Sequence, residues 1–113
     1  MGKLTKEDII LLFLVDPKKL GNEILYRNVP KSDEIRTLIC ELGNPGCAYW
    51  YALCIDKSPR SDTRKASCRD PEYAYYYARN IDKSPRSDTR ESACKDPRWK
   101  KEYEKWENSL KKK

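Results

Sequence analysis

The sequence predicts an all-α fold, a short right-handed α-solenoid of about four helical hairpins and eight helices. The decapeptide IDKSPRSDTR at residues 55–64 returns unchanged at residues 81–90, which is an offset of 26 residues. The tyrosines, alanines and Asp-Pro pairs on either side recur at the same offset. A fixed period of some tens of residues is typical of a small unit that is stacked on copies of itself, because one unit cannot bury its own apolar face.

Length and composition predict one domain with a large surface. A chain of 113 residues is long enough for one continuous core. Hydrophobic residues make up 38% and charged residues 37%, which favours an elongated stack. We therefore predict a single repeat domain over residues 1–113. It comprises an N-terminal capping hairpin (1–28) and repeats at 29–54, 55–80 and 81–111, of which the last serves as the C-terminal cap.

Proline pairs mark the predicted helix starts. Asp-Pro at residues 70–71 and 96–97 and Asn-Pro at 44–45 supply a capping oxygen, followed by a proline that fits the first helical position. Ser-Pro at 58–59 and 84–85 is interpreted in the same way, and Gly43 is predicted to end the third helix in the left-handed conformation. The predicted helices are 5–15, 17–28, 33–42, 45–54, 59–68, 71–80, 85–94 and 97–111.

Apolar positions predict how the hairpins stack. The last helix has one apolar stripe, formed by Trp99, Tyr103, Trp106 and Leu110, and a polar remainder that suits a terminal repeat. Ala52 and Ala78 are expected to touch the next repeat. Residues 5–15 are expected to form a buried helix whose hairpin covers the apolar stripe of the third helix, formed by Ile35, Leu38, Ile39 and Leu42. If left uncovered, that stripe would be a dimer or partner site.

Several function classes are disfavoured by the residues that the chain lacks. It has five cysteines and no histidine, no Cys-x-x-Cys pair, no glycine-rich phosphate loop and no nucleophile elbow. The apolar run at residues 9–15 is too short to span a membrane and does not resemble a signal peptide. We expect a non-enzymatic protein without metal or cofactor, with reduced thiols and a cytoplasmic location, which would be the host cytoplasm for a viral protein.

The repeated phrase and the aromatic residues supply the candidate binding residues. A cationic row along one edge of the stack would suit phosphate or carboxylate groups; its members are Lys57, Arg60, Arg64, Lys83, Arg86 and Arg90. The structural alternative, which we favour, is that Asp62, Arg64, Asp88 and Arg90 pair between repeats. Trp50 and Tyr76 are expected to be exposed or half exposed. They would serve as anchors for a protein partner, as platforms for nucleic-acid bases, or only in ordinary packing between repeats.

The repeats resemble known helical repeats. The paired helices are similar to HEAT-like and tetratricopeptide-like solenoids, although the period is shorter and their signatures are absent. The tandem phrase YAYYYARNIDKSPRSDTR, followed by CKDP, more closely resembles helical repeats of uncharacterised proteins from tailed phages and large viruses. That resemblance covers residues 48–99 well and 28–47 weakly. It implies an all-α solenoid of viral origin, and it brings no catalytic residues.

The function predicted from the sequence is binding of another protein by a helical-repeat module. For a viral chain, this would be a small inhibitor of a host or defence-system protein, similar in role to an anti-CRISPR. One alternative is a protein that binds single-stranded nucleic acid through its Arg and Lys rows and tyrosines; its affinity would then fall steeply with salt. The other alternative is a structural or self-assembling repeat.

Overall fold

The computed structural model describes residues 3–111, and within that range it contains eight α-helices and no strand. The helices are α1 (Lys6–Val15), α2 (Pro17–Leu25), α3 (Asp33–Glu41), α4 (Pro45–Tyr51), α5 (Ser61–Ser67), α6 (Pro71–Tyr77), α7 (Ser87–Ala93) and α8 (Pro97–Lys111). Two of them, α4 and α6, continue as π-helices over Ala52–Asp56 and Ala78–Asp82. The all-α prediction is confirmed. Residues 1, 2, 112 and 113 of the predicted domain lie outside the described residues.

The helices pack in successive pairs, as in helical hairpins: α1 with α2, α3 with α4, α5 with α6, and α7 with α8. The even-numbered helices form a row in which α2 contacts α4, α4 contacts α6, and α6 contacts α8. The molecule measures 48 × 25 × 19 Å, as is typical of stacked hairpins. The handedness of the stack stays a prediction. None of the described helices is both long enough and apolar enough to cross a membrane.

The Asn-Pro and Asp-Pro pairs start helices as predicted. The side chain of Asn44 accepts a hydrogen bond from the backbone N–H of Cys47 at 3.1 Å, and Asp70 accepts one from Glu72 at 2.8 Å. Each cap satisfies one of the N–H groups that the first helical turn leaves without a partner. Gly43 follows α3 with φ at +81°, which is the conformation predicted for it.

The Ser-Pro pairs do not start helices, and that prediction is wrong. Helices α5 and α7 begin two residues later than predicted, at Ser61 and Ser87. The reason lies in the preceding helices, which extend through the π-helical segments. Those segments end at Lys57 and Lys83, both in the left-handed conformation, so the Ser-Pro pairs belong to the turn that follows.

In the last three hairpins, a tyrosine from the second helix contributes to the cap of the first helix. The backbone N–H of Arg60 donates to the Tyr77 hydroxyl at 2.9 Å, and that hydroxyl lies 2.7 Å from Thr63 Oγ1. The same arrangement recurs 26 residues later, where Tyr103 accepts from Arg86 at 3.1 Å. Tyr51 also accepts from the cap backbone in its own hairpin. In each of the last three hairpins, one buried tyrosine therefore ties the two helices together.

The core changes in character along the stack. The N-terminal part is aliphatic, with Ile9, Leu20, Ile24 and Ile39 fully buried. Leu38 and Leu42 pack against the same cluster, so the first hairpin covers the stripe on α3 as predicted. The C-terminal part is built from tyrosine and alanine, and Ala52 packs in one cluster with Tyr77 of the next hairpin.

Candidate functional site

Arg64, a predicted member of the cationic row, lies inside the helix layer. Its Nε and Nη2 atoms bind the Asp82 carboxylate at 2.9 and 2.6 Å. The two side chains are only 11% and 3% exposed. The hydrogen bond to Asp82 raises the pKa of Arg64, and the guanidinium lies 5.6 Å from the Tyr77 ring centre. Arg64 is therefore unavailable to a partner on the surface.

Arg36 is the fourth residue of α3, as Arg64 is the fourth residue of α5, so the two arginines occupy corresponding positions in successive hairpins. Arg36, however, is shared among three carboxylates. It donates to Asp62 at 2.9 Å and to Asp33 at 2.8 Å, while its Nη1 atom lies 3.5 Å from Asp56. The Asp56 side chain is 1% exposed, and neither of its oxygens has a hydrogen-bond partner among the described residues. Burial raises the pKa of Asp56, and the charge of Arg36 opposes that rise.

A third pair joins Arg90 to Glu107, and it shows what the π-helical segments do. An offset of 26 residues from Asp82 leads to Asn108, yet the acidic partner is the residue before it. A π-helical turn inserts one extra residue into a helix. Helix α8 has no such turn, so residue 107 of α8 takes the place that residue 82 takes at the end of the π-helical extension of α6. The shift of one residue in sequence preserves the position of the carboxylate in space.

The prediction was that Asp62, Arg64, Asp88 and Arg90 pair with one another between repeats. Both arginines do bind carboxylates, but their partners are other residues. Arg64 and Arg90 each bind an acidic residue of their own hairpin. Asp62 does pair between hairpins, but its partner is Arg36. Among the described residues, the ion pair of Asp88 is a 3.7 Å contact with Arg86, and its carboxylate accepts a hydrogen bond from the Thr89 backbone N–H at 2.8 Å.

Trp50 and Tyr76 are half-buried in an aromatic seam that runs along the even-numbered helices. The Tyr49 ring centre lies 5.0 Å from Trp50 and 5.9 Å from Tyr76, and Tyr76 lies 5.5 Å from Trp99. These distances and the tilted or edge-on angles are those of packed aromatic pairs. Much of the surface of both predicted anchors is therefore used in holding neighbouring helices together. Trp50 also lines a groove of about 370 Å³ beside α2, with Leu25 and Tyr73.

Five members of the predicted row are exposed: Arg90 on α7, and Lys57, Arg60, Lys83 and Arg86 in the two repeated loops. Lys57 and Lys83 have φ angles of 55° and 57°. A left-handed lysine is strained by about 1–2 kcal/mol, since glycine or asparagine takes this conformation more easily. Four of the five exposed members therefore come from two loops that hold the same strained residue in the same conformation.

Both strained lysines line one groove of about 310 Å³, together with Ser58 and Asn80. We call this feature, defined by Lys57, Ser58, Asn80 and Lys83, the cationic groove. The Asn80 amide is held by a 2.8 Å hydrogen bond to the Tyr49 hydroxyl. The groove thus combines two ammonium groups with an amide and a hydroxyl, which are groups that bind carboxylate or phosphate oxygens. The sequence predicted its lysines, but only the fold shows that they share a groove.

An exposed apolar surface at the N-terminal end was missed by the sequence reasoning. Leu11 is 62%, Leu14 72% and Val15 81% exposed, and they lie together on α1. We call these three residues the N-terminal apolar face. The expectation that α1 is a buried helix is wrong for this side. Helix α1 is the end helix of the stack, and among the described residues only its inner side, with Ile9, is covered.

Three of the five thiols, those of Cys40, Cys47 and Cys68, show no features of a reactive site. Burial raises the pKa of Cys40 to about 12 and those of Cys47 and Cys68 to about 11. These thiols are protonated at neutral pH, which makes them weak nucleophiles and weak metal ligands. Within residues 3–111, no group of three or more histidine, cysteine, aspartate or glutamate residues is placed to hold a metal ion.

In comparisons with known proteins, no family model, curated protein or solved structure matched the chain. The resemblance to viral helical repeats therefore stays a prediction.

Proposed function

We propose that the protein is a non-enzymatic module of stacked helical hairpins that binds another protein through the cationic groove. The observation that carries this proposal is the convergence of Lys57 and Lys83 on one groove from two identical loops. Strained backbone conformations that persist in a fold are concentrated at binding sites and active sites. Within residues 3–111, no ion pair includes either lysine, so both can receive the carboxylates of a partner.

The position of the aromatic rings favours a protein partner over single-stranded nucleic acid. Proteins that bind single strands combine a basic groove with aromatic rings on which successive bases stack. The cationic groove is lined by Leu53 and Ile81 beside its polar groups, and it has no aromatic ring. The aromatic rings of α4, α6 and α8 pack against one another. Acidic side chains that flank an apolar residue match such a groove better than stacked bases do.

Fluorescence anisotropy with two labelled probes tests this proposal. One probe is a short poly-glutamate peptide with a central leucine, and the other is an oligothymidine of similar length and charge. We expect the peptide to bind more tightly. The double variant Lys57→Ala/Lys83→Ala should weaken its binding about tenfold, which corresponds to about 1.4 kcal/mol.

The matched control is Lys65→Ala/Lys95→Ala, which removes two exposed lysines outside the groove. We expect it to change the affinity less than twofold. An equal loss in both double variants would show that binding follows net charge alone and would contradict the proposal. Tighter binding of the oligothymidine, with a steep dependence on salt, would favour the nucleic-acid alternative.

The narrower role of a viral inhibitor of a host or defence-system protein is supported only by the resemblance of residues 48–99 to viral repeats. It predicts that the tagged chain retains one stoichiometric protein from an extract of the host cell. The Lys57→Ala/Lys83→Ala variant should lose that protein, and the control double variant should keep it. Retention by all three chains alike would place the interaction elsewhere on the molecule.

A further inference from the structure

The two ends of the stack have different surfaces. At the C-terminal end, the exposed residues of α8 are polar, among them Lys100, Lys101, Glu104, Lys105 and Asn108. At the N-terminal end, the exposed side of α1 is apolar. Large exposed apolar patches on a folded domain mark interaction surfaces. In a stack of hairpins, an uncovered apolar side is the side that a neighbouring unit normally covers.

The N-terminal apolar face is a continuous stripe on one side of α1. Glu7, Leu11 and Leu14 follow at spacings of four and three, the spacing of residues on one face of a helix. Ile9, which is fully buried, points to the opposite side, into the core. Its apolar residues occupy the second half of the ten-residue helix α1, from Leu11 to Val15, or about 6 Å along the helix axis, and Glu7 continues the same side to the first turn. One further helix of similar length would cover it.

The charges at the two ends of the stripe are complementary to each other. Glu7 and Asp8 lie in the first turn of α1 beside Lys6, whose charge is paired with Glu34 of α3. Lys18 and Lys19 lie in the first turn of α2, after its N-cap Asp16 and next to the last turn of α1. A two-fold axis through the middle of the stripe would place the acidic end of each copy beside the lysines of the other. The helix dipoles of two antiparallel α1 helices would also oppose each other, which is favourable.

We infer that the N-terminal apolar face is the interface of a homodimer in which α1 packs antiparallel to α1 of a second copy. The same patch serves both copies, as in other two-fold interfaces. A head-to-tail chain of molecules is disfavoured because it would bury the apolar stripe against the charged surface of α8. This inference does not depend on the cationic groove, which lies on other helices.

Sedimentation equilibrium of the 113-residue chain tests the dimer. We expect twice the chain mass of 13.3 kDa. Leu14→Glu should sediment as a monomer with unchanged helical circular dichroism, because residue 14 is exposed within one copy. The control variant Lys101→Glu, at the opposite end, should remain a dimer. A wild-type monomer at all concentrations up to roughly 100 μM, which excludes micromolar affinity, would overturn the inference, as would a dimer that Leu14→Glu leaves intact.

Charge reversal tests the antiparallel arrangement. Glu7→Lys and Lys19→Glu should each weaken the dimer about tenfold, because each places like charges together at both ends of the stripe. The double variant carries both reversals and should recover to within about threefold of wild type. Failure to recover would overturn the antiparallel geometry, because a parallel pair would bring residue 7 of one copy close to residue 7 of the other.

Discussion

The hairpin α3–α4 and the hairpin α5–α6 carry an arginine at the same helical position, but the two arginines are bound differently. Arg64 binds one carboxylate, that of Asp82, with two nitrogens. Arg36 divides its nitrogens among three carboxylates and leaves Asp56 without a hydrogen bond. Equivalent positions in a repeat can therefore contribute very differently to stability, even where both carboxylates are buried.

The residue at the start of α3 and the residue at the start of α5 account for much of this difference. Asp33 lies three residues before Arg36 and binds its Nη2 atom. The residue three before Arg64 is Ser61, which makes no such contact, so Nη2 of Arg64 is free to bind Asp82. A buried charge is stable only when its partners satisfy it. Arg64 and Asp82 of the hairpin α5–α6 meet this condition. Around Arg36 of the hairpin α3–α4, only two of the three carboxylates are hydrogen-bonded to the guanidinium.

The largest effect is expected from Asp82→Asn. The substitution keeps the volume of the side chain but leaves Arg64 buried without its counter-charge, which costs about 3–5 kcal/mol in comparable buried pairs. Urea unfolding followed by circular dichroism measures the loss. The double variant Arg64→Met/Asp82→Leu removes both charges and should recover most of it. A loss below about 1 kcal/mol for the single variant would show that the pair contributes little.

A smaller loss is expected from Tyr77→Phe. The phenol hydroxyl accepts from the Arg60 backbone N–H, so its removal leaves that buried donor without a partner, at a cost of about 2 kcal/mol. The Thr63 hydroxyl loses its contact with the phenol but keeps a 3.3 Å hydrogen bond to the Arg60 carbonyl. Tyr51→Phe in the preceding hairpin is the matched comparison. It should cost about 1 kcal/mol, because the Ser32 side chain already caps α3. Equal losses would show that the tyrosine caps are independent of the side-chain cap.

Asp56→Asn is expected to differ from Asp82→Asn in sign as well as in size. The free energy of unfolding should stay within about 1 kcal/mol of wild type at neutral pH and lie on the stabilising side, because the variant removes a buried charge that lacks hydrogen bonds. Unfolding in urea at matched pH measures it. A loss of several kcal/mol would mean that the weak contact with Arg36 stabilises the fold as strongly as the Asp82 pair does.

The pH dependence of this variant follows from the raised pKa of Asp56. A carboxyl group whose pKa is higher in the folded state than the unfolded value of about 3.9 stabilises the fold when protonated. That contribution is lost as the pH rises through the folded-state pKa. The advantage of Asp56→Asn over wild type should therefore grow as the pH increases from about 4 towards neutrality, and a constant difference would contradict it.

Local signals predicted the helices well, and the errors come from contacts between helices. The proline pairs and Gly43 act within a few residues, so six of the eight helix starts follow from the sequence to within one residue. The starts of α5 and α7 depend on π-helical segments and on distant tyrosines, Tyr77 and Tyr103, which no local pattern reveals. The sequence identified the cationic residues, but burial of Arg64 depends on Asp82, 18 residues away.

The smallest effect is expected from Glu107→Gln, in the third copy of the same ion pair. Its partner Arg90 is 47% exposed, whereas Arg64 is 11% exposed, so water can replace the lost carboxylate. Pairs with an exposed member contribute about 0–1 kcal/mol, and salt screens them further. The unfolding free energy should therefore fall by less than about 1 kcal/mol at low salt, and less again at high salt. A loss as large as that of Asp82→Asn would show that the position of the pair in the repeat, rather than its burial, determines its contribution to stability.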